Sequence, residues 1–169
     1  MFKEFMEYFV ENSFSGARLR IYKEIPTCEP KAVVHITHGM AEHAGRYTWF
    51  MDVLKRAGYA VYAHDIRGHG YTYAYNSSKG HFCDKNGLDK ILHDLDFSID
   101  FIKKNHPNIP IYCFGHSLGS ILLLRYATSS YHRINGIACW NSGVETNLLA
   151  IVGKIILSIE RKLRSPRSK

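Results

Sequence analysis

The residues that could carry chemistry form one short run, Gly115-His116-Ser117-Leu118-Gly119. The run follows a short apolar stretch and precedes residues with helical periodicity. A Gly-x-Ser-x-Gly run between a strand and a helix is typical of a tight turn that presents a serine hydroxyl for nucleophilic attack, and the glycines leave room for that turn. We therefore predict that Ser117 is a catalytic nucleophile. The alternative is that Ser117 only caps the helix that follows.

Two backbone N–H groups are placed to bind the oxyanion that forms when a serine attacks an ester. The N–H of Leu118 lies at the start of the helix after Ser117, where the helix dipole favours negative charge. A second N–H is predicted at Met40, which follows a strand-like run at 32–37. The carboxyl ends of parallel strands meet at one edge of a sheet. We predict that Met40 and Leu118 form an oxyanion hole; for Met40 the alternative is an ordinary strand-to-loop turn.

The segments that would position these residues alternate between strand and helix patterns. Strands are predicted at 18–25, 32–37, 59–63, 111–114 and 134–140, the last four of them buried, and helices at 45–57, 87–105 and 118–126. Residues 65–86 are predicted to form a loop with one helical turn at most. This order indicates an α/β fold with a doubly wound, mostly parallel sheet and helices on both faces. A further helix, with a broad apolar face, is predicted at 148–163.

Length and composition are typical of a soluble globular domain. The chain has 169 residues, 46% of them hydrophobic. It has no apolar run of the roughly 20 residues that a membrane span needs and no secretion signal, so we expect a cytoplasmic protein. Its four cysteines are far apart, which argues against a disulfide framework or a zinc site. Cys113 and Cys139 fall in strand-like runs, where cysteine is usually buried.

The charge pattern argues against nucleic acid as a partner. The net charge is +7, and the last ten residues, with five bases and one acid, supply +4 of it. The remaining +3 is not arranged as a basic stripe, so we predict that the protein binds no nucleic acid. The histidines at 38, 43, 64 and 69 form no metal-binding motif, so we expect no metal.

Three blocks of sequence resemble one group of α/β-hydrolases. Residues 38–47 (HGMAEHAGRY) are similar to the first block of the monoacylglycerol lipase and lysophospholipase group, residues 64–70 (HDIRGHG) to its second block, and residues 115–120 to its serine turn. The order and spacing fit over about 5–165, and the likeness extends to bacterial lysophospholipases of the serine aminopeptidase-like group. The resemblance implies that Ser117 is the nucleophile and that the Met40 and Leu118 amides form the oxyanion hole. It also implies cofactor-free hydrolysis of monoacylglycerol or lysophospholipid-like esters.

The polar residues of the first two blocks are predicted to hold loops together rather than to catalyse; they are Glu42, His43, Arg46, Asp65, Arg67 and His69. Three aspartates on the helix predicted at 87–105 are expected to face solvent or to form salt bridges: Asp94, Asp96 and Asp100.

The acid and the base of a serine triad do not follow the serine here. In α/β-hydrolases both come after the nucleophile, yet after Ser117 the chain has one histidine, His132, and no aspartate; its only acids there are Glu145 and Glu160. We do not expect His132 to be the base, because it lies just past the helix that starts at the serine. The resemblance implies that the acid and the histidine lie beyond a helical cap. We therefore expect the N-terminal half of a hydrolase core at 1–146 and the start of the cap, with a basic tail, at 147–169.

Two interpretations of the missing triad residues are open: a truncated gene product, or a segment of a longer enzyme. In both, we expect this chain alone to be inactive or very weak. A non-catalytic remnant is the alternative, binding a partner through an open sheet edge or an anionic membrane through the apolar helix and its basic end. Self-association through the open edge is also expected.

Overall fold

The structure, a computed structural model, describes residues 6–12, 15–143 and 158. The helix predicted at 148–163 lies outside these residues apart from Ser158, as do Glu145 and Glu160. The division at 146/147 therefore stays a prediction. The cytoplasmic location also stays a prediction. Among the described residues, no helix is both long enough and apolar enough to cross a membrane.

Strands and helices alternate along the described chain, as predicted. The strands are β1 (Met6–Asn12), β2 (Ala17–Glu24), β3 (Val33–Thr37), β4 (Ala60–His64), β5 (Tyr73–Ala74), β6 (Ile111–His116) and β7 (Gly136–Trp140). The helices are α1 (Thr48–Arg56), α2 (Gly87–Asn105) and α3 (Leu118–Ser130), with short 3-10 turns at Ala44–Tyr47 and Tyr131–Arg133.

All the described strands join one sheet, in the order β1-β2-β4-β3-β6-β7, with β5 beside β2. Strands β4, β3, β6 and β7 are parallel, and β1 and β2 extend the sheet in antiparallel pairing. Thr37 of β3 pairs with Gly115 of β6. The loops that follow these two strands, with Met40 and Ser117, therefore leave the sheet at the same edge.

Apolar cores cover both faces of the sheet, which confirms the doubly wound α/β prediction. One face is covered by α2 and α3 through Leu95, Ile99, Ile102, Leu123 and Tyr126. The other face is covered by α1, where Met51 packs against Ile36 and Val61. The alternation of side chains along β4 divides them between the cores, since Tyr62 belongs to the first and Val61 and Ala63 to the second.

Three elements differ from the predictions. Strand β1 and the two-residue β5 were not predicted, and both form by pairing with β2, which the local sequence does not reveal. The segment 65–86 holds β5 and, among the described residues, no helical turn. Helix α3 continues to Ser130 because residues 127–130 contain neither glycine nor proline.

The prediction of burial is wrong for the last strand and for Tyr112 of β6, which is 45% exposed. Trp140 of β7 is 66% exposed, and Cys139 beside it is exposed as well. Among the described residues, β7 pairs only with β6 and has no neighbour on its outer side. Cys113 on β6 is buried as predicted, and burial raises the pKa of its thiol to about 12.

Candidate active site

Ser117 occupies a strained turn between β6 and α3. Its backbone has φ +50° and ψ −114°, a conformation that is costly for a residue with a Cβ. The sheet and the helix hold it there, because its N–H donates to the Trp140 carbonyl (2.9 Å) and its own carbonyl accepts from Ser120 N–H (3.0 Å). Its side chain makes no capping hydrogen bond to the helix. The capping alternative therefore has no support in the geometry.

The two glycines of the turn are required by close contacts on either side of it. A Cβ on Gly115 would lie 2.6 Å from the Ser120 nitrogen, and a Cβ on Gly119 would lie 2.0 Å from the Thr37 carbonyl oxygen. Helix α3 therefore starts directly against the end of β3. The Ser120 hydroxyl donates to the Gly115 carbonyl at 2.6 Å and ties the two arms of the turn together.

The loop that carries Met40 is fastened to the residue before the nucleophile through Glu42. The Oε1 atom of Glu42 accepts hydrogen bonds from Gly39 N–H, from the Tyr47 hydroxyl (2.8 Å) and from Nδ1 of His116 (2.9 Å). Burial alone would raise the pKa of Glu42, but these three hydrogen bonds outweigh it, so the pKa lies below its ordinary value. Glu42 therefore stays ionised and holds the loop, as predicted for a positioning role.

The two predicted oxyanion donors follow neighbouring parallel strands. Leu118 is the first residue of α3, and Met40 comes three residues after β3. Within the described part of the chain, neither N–H donates a hydrogen bond. Two unbonded N–H groups beside a serine are the chemical requirement for holding an oxyanion.

His38 ties the loop after β3 to the loop after β4 as a neutral imidazole. Its Nδ1–H donates to the Gly39 carbonyl at 2.7 Å, and its Nε2 accepts the Ile66 N–H at 2.9 Å. Burial, the largest influence, lowers the pKa of His38. Both ring nitrogens are occupied, so His38 is a structural residue.

Asp65 anchors the loop after β4 through hydrogen bonds from three residues. Its Oδ1 accepts the Ala44 N–H (2.8 Å), and its Oδ2 accepts the Tyr71 N–H (2.8 Å) and the Tyr22 hydroxyl (3.2 Å). Burial, and then the charge of Asp65, raise the pKa of Tyr22 to about 12. These bonds agree with the predicted loop-tying role of Asp65.

Arg67 and Asp94 form a fully buried ion pair. Nε of Arg67 lies 2.7 Å from Oδ2 of Asp94, Nη2 lies 3.1 Å from Oδ1, and the two side chains are 0% and 1% exposed. The Ser15 hydroxyl also donates to Asp94. Asp94 therefore faces the interior rather than solvent, because it balances the charge of Arg67. Asp96 and Asp100 pair with Arg133, as predicted.

Histidines His35 and His64 form a second buried pair that the sequence did not reveal. Nε2 of His35 lies 3.0 Å from Nδ1 of His64, and the rings stack at 5.1 Å between centroids. Burial lowers the pKa of His35 to about 4, and burial and the neighbouring His35 lower the pKa of His64 well below its ordinary value. The pair is therefore neutral at neutral pH.

No described histidine activates Ser117. Its hydroxyl has no hydrogen-bond partner among the described residues, and His116 directs Nδ1 to Glu42 instead. His132 lies beyond the whole of α3, which at 1.5 Å per residue puts it about 20 Å away. The described residues contain no group of three or more side chains suited to a metal ion.

A cleft of about 710 Å³ opens beside Met40. Its walls come from the loops after β3 and β4 and from the segment before α2, and they include Met40, His43, His69, Tyr71, Lys79 and Phe82. Ser117 is not part of its wall. Tyr71, Lys79 and Phe82 belong to no recognisable motif, so the sequence alone does not indicate them.

The sheet order, the helices on both faces and the strained serine turn define an α/β-hydrolase. The chain belongs to the serine aminopeptidase S33 family, whose model matches residues 28–167. This confirms the resemblance drawn from the three sequence blocks.

Two lipases match this chain in sequence, and one esterase matches it in structure. The chain is 30% identical to the monoglyceride lipase of Rattus norvegicus over 112 residues, which are 66% of this chain and 35% of the lipase. It is 34% identical to the monoacylglycerol lipase of Mycolicibacterium smegmatis over 119 residues, 69% of this chain and 40% of that one. The crystal structure of a Bacillus coagulans carboxyl esterase in complex with glycerol superposes with a TM-score of 0.73 at 26% identity, covering 92% of this chain and 51% of the esterase. The chain thus spans between about a third and a half of these proteins.

Proposed function

We propose that Ser117 is the nucleophile of a serine hydrolase that cleaves carboxylic esters of the monoacylglycerol or lysophospholipid type. Its Oγ attacks the ester carbonyl, and the N–H groups of Met40 and Leu118 bind the oxyanion. Release of the alcohol leaves an acyl group on Ser117, which water then removes. The observation that carries the proposal is the strained backbone of Ser117, with φ +50° and a hydroxyl that no described group occupies. The lipase and esterase relatives support the substrate class.

We propose that this chain alone is inactive or very weak. Removing the hydrogen of Ser117 needs a base, and no described histidine reaches it. An oxyanion hole without the rest of a triad still gives a rate of about 10³–10⁴ over water in serine proteases. We expect acylation of Ser117 to be slow, because the oxyanion donors are present while no described group serves as the base, and added imidazole should speed it by serving as that base.

A fluorophosphonate probe tests the proposal on the chain as it is. The probe should label the wild-type chain slowly, faster with imidazole, and at Ser117 when the site is mapped by mass spectrometry. Ser117→Ala should abolish labelling. Ser129→Ala removes an exposed serine at the end of α3 and should leave labelling unchanged.

The proposal fails if Ser117→Ala is labelled as fast as wild type, or if no labelling occurs with imidazole. A fusion to the C-terminal half of the Mycolicibacterium smegmatis lipase should raise the labelling rate strongly if the chain lacks only its acid and base. If the fusion were labelled as slowly as the isolated chain, the proposal that the chain lacks only its acid and base would be wrong.

A second candidate function is that of an interaction module that self-associates through β7. The observation that favours it is the exposure of this strand, where Trp140 is 66% exposed. An unpaired strand edge with apolar side chains is an association surface. Sedimentation should show oligomers of the wild-type chain and fewer of Trp140→Lys, whereas Trp49→Lys, a change at an exposed tryptophan on α1, should have no effect. A monomeric wild-type chain would exclude this function.

A further inference from the structure

The cleft beside Met40 has apolar walls and an open floor. Met40 is 71% exposed and Tyr71 is 65% exposed, and Phe82 is half-buried beside them. Gly68, Gly70 and Gly80 also line the cleft and place no side chains in it. Such a surface can hold an amphiphilic molecule.

Neither Glu42, the one acid that lines the cleft, nor Asp65, which lies behind one of its glycines, presents a free carboxylate oxygen to a ligand. Glu42 is 7% exposed, and its oxygens are engaged by the loop and by Arg46 at 3.4 Å. Asp65 lies beneath Gly70 but is fully buried, and both its oxygens accept hydrogen bonds from the protein. The oxygens of both carboxylates are therefore already occupied by hydrogen bonds and ion pairs within the protein.

Lys79 carries the one lysine or arginine charge among the residues that line the cleft. Its side chain is exposed, and it forms no ion pair within the described part of the chain. The cleft thus combines apolar walls with one positive charge that has no counter-charge. That combination is complementary to an amphiphile with an anionic head group.

We propose that this cleft binds the phosphate head group of a single-chain phospholipid and that Lys79 selects it over a neutral glyceryl head group. The inference rests on the proposed function of Ser117, because Met40 both lines the cleft and supplies the proposed oxyanion donor. An ester bound at Met40 lies at the edge of the cleft, and we place its head group there rather than its acyl chain because the head group carries the charge that Lys79 complements. A neutral monoacylglycerol offers Lys79 no counter-charge, so it gains nothing from this residue.

Binding of two ether lipids to the 169-residue chain tests the inference. The probes are 1-O-octylglycerol phosphate and 1-O-octylglycerol, which share an alkyl chain, lack an ester and are used below their micelle concentrations in calorimetry. Wild type should bind the phosphate probe about threefold to fivefold more tightly, which is the effect of an ion pair at an exposed lysine. Lys79→Gln should remove this preference and Lys79→Arg should keep most of it.

Lys85→Gln, a change at an exposed lysine outside the cleft, is the matched control and should keep the full preference. The phosphate probe should also slow acylation of Lys79 by an amine-reactive reagent while leaving Lys85 unaffected. Equal affinity for the two probes, no binding of either, or a preference that survives Lys79→Gln would overturn the inference. Fluorophosphonate labelling separates it from the proposed function: a Lys79-dependent preference without Ser117 labelling refutes only the hydrolase, and labelling without the preference refutes only the head-group site.

Discussion

The serine turn and the loop framework beneath it satisfy their polar groups in opposite ways. In the framework, the Asp65 carboxylate and both ring nitrogens of His38 have protein partners, and Arg67 binds Asp94 through Nε and Nη2, while its Nη1 has no partner among the described residues. At the turn, the Ser117 hydroxyl and the N–H groups of Met40 and Leu118 have none among the described residues. Buried polar groups without partners are costly, so unbonded groups at the half-buried Ser117 and Leu118 are typical of groups kept free for a ligand. The difference supports the proposal that Ser117, Met40 and Leu118 act on a substrate while the framework residues hold the loops.

The largest change in stability should come from breaking the buried ion pair of the framework, Arg67 with Asp94. Arg67→Met would leave the Asp94 carboxylate buried without its counter-charge and should lower the free energy of unfolding by about 3–5 kcal/mol. Urea denaturation of wild type and variant measures it. Arg56→Met is the matched control, because Arg56 pairs with Asp52 on the surface of α1 and its loss should cost no more than about 0.5 kcal/mol. Similar losses in the two variants would contradict the framework role.

A smaller effect is expected from acid through the buried His35–His64 pair. The unfolded chain takes up a proton at His35 near its ordinary pKa of 6.5, whereas the folded chain does so only at about 4. The contribution of His35 to the free energy of unfolding is therefore fully present above pH 6.5. It is lost as the pH drops toward 4, by about 1.4 kcal/mol per pH unit. His64 acts in the same direction.

Urea denaturation at pH 7 and pH 5 checks this expectation. His35→Gln should lose about 2 kcal/mol less than wild type between the two values. His132→Gln, a change at an exposed histidine, should keep the wild-type difference. If His35→Gln lost as much stability as wild type, the pair would not be the source of the acid sensitivity.

The smallest effect should have the opposite sign and occurs at the serine turn. Ser117→Gly removes the Cβ that makes a φ of +50° costly and should raise the free energy of unfolding by about 1 kcal/mol. Ser117→Ala keeps the Cβ and removes only an unbonded hydroxyl, so its stability should match wild type. Thermal and urea unfolding of the three chains measure these differences. A loss of more than about 1 kcal/mol in Ser117→Ala would indicate that the hydroxyl supports the fold after all.

The strand and helix patterns were sufficient to predict the order of the central elements, because burial between two helical layers demands continuous apolar runs at β3 and β4. They did not predict β1 and β5, whose pairing with β2 leaves little trace in the local sequence. They also predicted burial of β7, since an apolar run looks the same at the centre of a sheet and at its edge. Exposure depends on which neighbours the strand has, and only the three-dimensional arrangement shows that.

The sequence by itself determined the serine turn, because its glycines and its place between a strand and a helix are local requirements that five residues can express. It also determined which family the chain belongs to, through three blocks in register. Only the tertiary structure decided which polar residues are engaged and which are free. Asp94 is buried because Arg67 arrives from a distant loop, and Lys79 faces a cleft because the loops after β3 and β4 enclose it. Partners brought together over long stretches of chain set burial, pKa and available charge, and no local pattern encodes them.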